Sequence, residues 1–245
     1  RRTMRTVAAT ILVTAILATA CGPKKEPARP RNNGNDNAGT QTSDHRPPPR
    51  RDEPQISGLM GTIDAEAVEK AFEAKMNDVR ACRRNHLSGL GFVGGKVQYF
   101  FKIGMDGVPI KVVLEQSELG HHPLEACLTK IAKSLKFVKP KGGTAEVRYS
   151  FELAAERTEA KPWAASKIAK KMRAKKRAIK ACRVGGKPAK FSVTFHILPQ
   201  GKAKTAGVAS PEDLPDGFAA CVAKVVAGTT WPDPLGEVVR VTTDF

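Results

Sequence analysis

KVQYFFKIGMDGVPIKVVLEQSELGHHPLEACLTKIAKSLKFVKPKGGTAEVRYSF, residues Lys96 to Phe151, decides the fold because its pattern occurs twice. Shifted by 94 residues, the chain meets itself without a gap. Phe101 falls on Phe195, Ile103 on Ile197, Gly107 on Gly201 and Ala126-Cys127 on Ala220-Cys221. Lys130 falls on Lys224, Pro140 on Pro234, Gly142 on Gly236, Val147 on Val241 and Phe151 on Phe245. Chance rarely holds Gly, Cys, Pro and Phe in one register, so the reading is two copies of one small domain.

Inside the first copy, Val97, Tyr99, Phe101 and Ile103 alternate with Lys96, Gln98 and Lys102, as in a strand with one buried face. Met105-Asp106-Gly107 reads as a hairpin turn, and Ile110, Val112 and Leu114 as the returning strand. Pro123 to Leu135 places Leu124, Cys127, Leu128, Ile131 and Leu135 on one helical face. Beyond Gly142-Gly143, a turn, Val147, Tyr149 and Phe151 make a last strand. Upstream, Asp64 is placed to cap a helix striped by Val68, Phe72, Met76 and Val79 that ends near Cys82, before the Ser88-Gly89 breaker. The expected order is helix-strand-strand-helix-strand: an α+β unit of two helices on a three-stranded sheet, one face of which is solvated.

The second copy repeats the plan. Val68 meets Ile168, Phe72 meets Met172, Val79 meets Ile179 and Cys82 meets Cys182 at an offset of 100. The loop after that cysteine is therefore six residues shorter than in the first copy. Gln200-Gly201 is the turn, Phe218, Cys221, Val222 and Val225 line the helix, and Trp231 takes the place of Phe137. The modules span 63–154 and 163–245, with a linker at 155–162.

Four cysteines allow three pairings. The repeat favours Cys82 with Cys127 and Cys182 with Cys221, one bond per module. Chain-entropy arithmetic gives at most roughly 4 kcal/mol for each. No Cys-x-x-Cys redox arrangement is present.

The fifth cysteine belongs to the N-terminus. Arg1, Arg2 and Arg5 precede an apolar run from Val7 to Ala20, the size of a signal h-region and too short to span a bilayer. Leu17-Ala18-Thr19-Ala20-Cys21-Gly22 is similar to a bacterial lipobox, with residues 1–20 as the signal peptide and Cys21 as the lipidated residue. Gly22 suits outer-membrane sorting, with the protein facing the periplasm. Residues 21–62 carry scattered prolines, Pro47-Pro48-Pro49 and few apolar side chains, so a disordered tether is expected.

The formal net charge is +17. It concentrates at 161–180, where Lys167, Lys170, Lys171, Arg173, Lys175, Lys176, Arg177 and Lys180 occur with no acidic residue. The corresponding first-module stretch is mixed, holding Glu66, Glu69, Glu73 and Asp78, so the fold itself does not demand this charge. An anionic lipid or glycan is a candidate ligand. Nucleic acid is disfavoured because no strand presents exposed aromatics for stacking.

These motifs together resemble the AgmX/PglI C-terminal domain, a module similar to the TonB C-terminal domain and found in envelope proteins of myxobacteria and their relatives. The residues that carry the resemblance are Cys82 and Cys182 ending the first helix, Gly107 and Gly201 in the turn, and Cys127 and Cys221 in the second helix. To these add the aromatic-Pro steps Phe137 to Pro140 and Trp231-Pro232, Gly142-Gly143 or Gly236, and the closing Phe151 and Phe245. The resemblance implies a periplasmic adaptor or scaffold that binds an envelope protein partner.

Catalytic chemistry finds little support. His45, His86 and His196 are isolated in sequence, with His196 expected on the open sheet face. His121-His122 has only Glu125 near ligand spacing and reads as a solvated helix start rather than a metal site. Ser117 and Ser210 fall in loops without evident partners, and no phosphate loop or nucleophile elbow is present. The expectation is a non-enzymatic envelope lipoprotein without cofactor or metal. The alternative is a binder of anionic envelope lipid or glycan through 161–180, with an enzyme a distant third.

Overall fold

The computed structural model describes residues 55–56, 61–182 and 190–245. The expected signal peptide, the lipidation site Cys21, His45 and most of the tether lie outside these residues. Among the described residues no helix is long and apolar enough to cross a membrane. The described residues all belong to one compact unit.

The fold is α+β, with two four-stranded sheets. The N-terminal half runs β1 (Gln55–Ile56), α1 (Ala65–Glu73), α2 (Met76–His86), β2 (Gly95–Ile103), β3 (Pro109–Ser117), α3 (His122–Lys133) and β4 (Ala145–Leu153). The C-terminal half runs β5 (Lys161–Pro162), a 3-10 turn (Ala165–Ile168), α4 (Ala169–Ala181), β6 (Ser192–Leu198), a second 3-10 turn (Pro199–Gly201), β7 (Lys202–Ala209), α5 (Phe218–Ala227) and β8 (Val239–Asp244). Strand orders are β1-β4-β2-β3 and β5-β8-β6-β7.

Local chemistry explains the elements. Asp64 caps α1, its carboxylate accepting from the amides of Glu66 (2.8 Å) and Ala67 (3.3 Å). Both hairpin turns use a glycine with positive φ, Gly107 at 85° and Gly201 at 72°. The carbonyls of these glycines accept from Phe137 (2.9 Å) and Trp231 (2.8 Å), where the chain leaves α3 or α5. A Cβ at either glycine would collide with the carbonyl of that same aromatic residue. This crossing accounts for the shared spacing from turn glycine to aromatic. Each half has its own core: Phe72, Tyr99, Phe101, Leu128 and Val147 in one, Ile179, Phe195, Phe218, Val222 and Trp231 in the other.

Four features differ from the sequence reading. Each sheet has a fourth, two-residue strand: β1 lies antiparallel to β4, and β5 parallel to β8. Too short to show periodicity, both sit in stretches that looked like tether or linker. The first helix is broken at Ala74-Lys75 into α1 and α2, which lets Phe72 reach the Tyr149 ring (3.8 Å) while α2 continues to His86. Register shifts in the β2–β3 ladder expose Ile110 and bury Val112 and Val113 together. The fourth difference decides the rest: the outer face of the second sheet is covered at β6, while that of the first stays partly exposed. In β6 the five residues from Val193 to Ile197 are all buried, because the two halves dock there.

Candidate functional site

The docking seam is polar and buried. Glu125, one turn into α3, is 2 % exposed. Its carboxylate accepts from the Ser117 hydroxyl (2.6 Å) at the end of β3 and from the Val208 amide (3.2 Å) in β7, so one side chain ties the two halves together. The backbone at Gly120 and His121 also favours its charged form. Gly207 makes the approach possible, since a Cβ there would overlap both carboxylate oxygens. Burial outweighs the hydrogen bonds and pushes the carboxyl up to about 7. A cleft of about 440 Å³ adjoins Glu125, walled by Lys130 and Lys133 of α3 and by Asp213 and Asp216 before α5.

His121 and His196 line the same seam. His121 is buried, and its Nδ1 accepts from the Leu124 amide (3.2 Å), capping α3, so it is not the solvated helix start expected. Burial and nearby His86 lower its pKa to about 4. His196 is 1 % exposed, not on an open face. Its ring lies 5.2 Å from that of Phe92 in the other half, and its Nδ1 bonds the Thr205 hydroxyl (2.8 Å). Burial, then Arg240, hold it down at about 3. Half-buried His122 is also lowered by burial. Ser117 and Ser210, expected to lack partners, are both engaged: the Ser117 carbonyl accepts from Thr194 (2.9 Å), and the Ser210 amide donates to the Leu114 carbonyl (2.9 Å).

Arg240 completes the seam. From β8 its guanidinium donates to the Gly94 carbonyl (3.0 Å) and the Glu159 carboxylate (2.6 Å) and lies 3.6 Å from Glu118. The segment 155–162 is fastened as well, through Arg157 to the Gly91 carbonyl (2.8 Å) and Ala160 to that of Phe92 (3.2 Å). From sequence, Glu125 enters only as the carboxylate near His121-His122, with no role in docking, and Arg240 not at all. For Glu125 a signal existed: with Leu128 and Ala132 it sits at helical spacing on the buried stripe of α3. For Arg240 there was none.

The basic stretch divides. Lys161 is in β5 and pairs with Glu237. The cations from Lys167 to Lys180 lie on the 3-10 turn and α4, which buries Ile168, Met172 and Ile179. Lys175 is half-buried beside that stripe, while Lys167, Lys170, Lys171, Arg173, Lys176, Arg177 and Lys180 are exposed. Among the described residues these eight make no ion pair within 4.0 Å. Like charges at i,i+3 and i,i+4 cost an isolated helix roughly 0.2–0.5 kcal/mol per pair. Beside α4, a groove of about 300 Å³ runs along β8, lined by Ala169, Met172, Arg173, Lys176, Thr243 and Asp244.

Two disulfides, Cys82–Cys127 and Cys182–Cys221, join the helices of each half, with Cα separations of 5.9 and 5.6 Å. Among the described residues no group of three or more His, Cys, Asp or Glu is placed to hold a metal ion. The chain matches no family profile, no curated protein and no solved structure.

Proposed function

We propose that this protein is a non-enzymatic envelope lipoprotein that binds a protein partner by strand addition at the outer edge of β8. The carrying observation is the geometry of that edge. The Val238 and Arg240 carbonyls accept from Lys161 (3.2 Å) and Trp163 (2.7 Å) on the side away from β6. By the two-residue alternation of a strand, the peptide groups of Thr242 and Asp244 face the same way, where β5 has already ended. An extended segment laid there would gain main-chain hydrogen bonds and fill the groove beneath α4.

Cys21 would carry the lipid anchor, residues 21–62 the tether, and 63–154 and 163–245 two tandem copies of an AgmX/PglI-like module. Matching strand orders and equivalent disulfides support the repeat; the lipobox supports an outer-membrane anchor facing the periplasm. The test is Thr242→Pro, which deletes one outward N–H and spares the β6 ladder. With a photo-crosslinker at Ala169, the parent should trap a defined envelope protein and the Pro variant should not. A crosslink of equal yield in both would remove strand addition as the mode of binding.

A further inference from the structure

We propose that the outward ridge of α4 rests on an anionic phospholipid surface, a contact that shares only Arg173 with the groove at the β8 edge. At about 100° per residue, Lys170, Arg173, Arg177 and Lys180 fall within an arc of about 80°, opposite buried Met172 and Ile179. All four are exposed, and none is in an ion pair among the described residues. They form a cationic row about 15 Å long. No acidic residue occurs in sequence from Lys161 to Pro211, so neutralisation must come from elsewhere in the fold or from outside. Asp244 lines the β8 groove together with Arg173 and Lys176, and it pairs with neither.

Shape and side-chain type choose the partner. The ridge is the convex outer side of a helix, which suits a flat array of phosphates better than a polymer held in a groove. Exposed Ala174 and Ala181 complete the face, so it offers no aromatic ring to stack on a base. Nor does it offer a large apolar side chain to insert between acyl chains. Such a surface adsorbs by charge alone, over about one Debye length, and releases in salt.

The experiment measures binding of the full chain to phosphatidylcholine vesicles and to vesicles containing roughly a third phosphatidylglycerol, and reads the ratio of the two affinities. That ratio cancels any lipid-insensitive attachment through residues 1–21. The ridge variant is K170Q/R173Q/R177Q/K180Q. The control K130Q/K133Q/K136Q/K139Q removes the same charge from exposed lysines elsewhere. The parent and control should prefer anionic vesicles by on the order of 100-fold. The ridge variant should lose that preference, as should the parent when salt is raised from about 0.05 to about 0.5 M. An unchanged ratio in the ridge variant, or an equal loss in the control, overturns the proposal. Tighter ridge-dependent binding to duplex DNA than to the vesicles assigns the ridge to another polyanion and overturns it too.

Discussion

The carboxylate of Glu125, on α3, accepts a hydrogen bond from the backbone amide of Val208, on β7, at 3.2 Å. These residues lie 83 positions apart and belong to different halves of the fold. The bond sits in a seam that also holds Ser117, His121, His196 and Arg240, all buried. Packing two sheets through polar groups couples their docking to pH, because each buried titratable group prefers one protonation state.

Glu125 sets the alkaline side of that dependence. Its carboxyl is raised in the fold from the ordinary 4.5 to about 7. The folded protein therefore binds more protons than the unfolded chain between those values, and stability from this group is lost as pH rises through about 7. At its fullest the effect is about 3 kcal/mol. Urea-unfolding midpoints followed by circular dichroism should fall for the parent relative to E125Q between pH 6.5 and 8, since the histidines contribute equally to both proteins.

The histidines act with the opposite sign. His121 and His196 are lowered from 6.5 to about 4 and about 3. The unfolded chain binds their protons first, so stability is lost as pH falls below about 6.5. Two histidines oppose one carboxyl, so the parent should be most stable close to pH 7. Replacing His196 by Gln should flatten the acid limb between pH 6 and 4, whatever it costs at neutral pH. An acid limb of unchanged slope would show that His196 does not carry this protonation.

Gly207 is required by Glu125 rather than by its own strand. Gly207→Ala should destabilise by roughly 1–3 kcal/mol, because the new methyl meets the carboxylate. In E125S the same change should cost much less. The coupling is read from a double-mutant cycle of unfolding free energies. Additive costs would place the strain elsewhere.

Arg240→Met should loosen the seam between the halves. It leaves the Gly94 carbonyl and Glu159 without their shared donor. A cost of about 1–2 kcal/mol is expected, since the buried Gly94 carbonyl loses its donor while Glu159 and Glu118 can turn to solvent. Hydrogen exchange should quicken at β2's first residues and across 155–162, ahead of either core. Arg240→Lys should rescue only partly, because one ammonium cannot serve the Gly94 carbonyl and two carboxylates with the same fork geometry.

The sequence by itself determined whatever depends on neighbours along the chain. Alternation from Val97 to Ile103 determined a strand, Asp64 a helix start, and Asp106-Gly107 and Gln200-Gly201 the two turns. The register of the repeat determined which cysteines bond. The two-residue strands β1 and β5 escaped because a strand of that length has no period to detect. Tertiary structure alone decided the seam. Alternating polar residues predict a solvated face only if nothing docks on it, and nothing local to Thr194 or His196 reports that Gly120 and Phe92 will cover them. Glu125 shows the same limit: its stripe position marked burial, but its donors come from β3 and β7, brought together only when the two sheets meet.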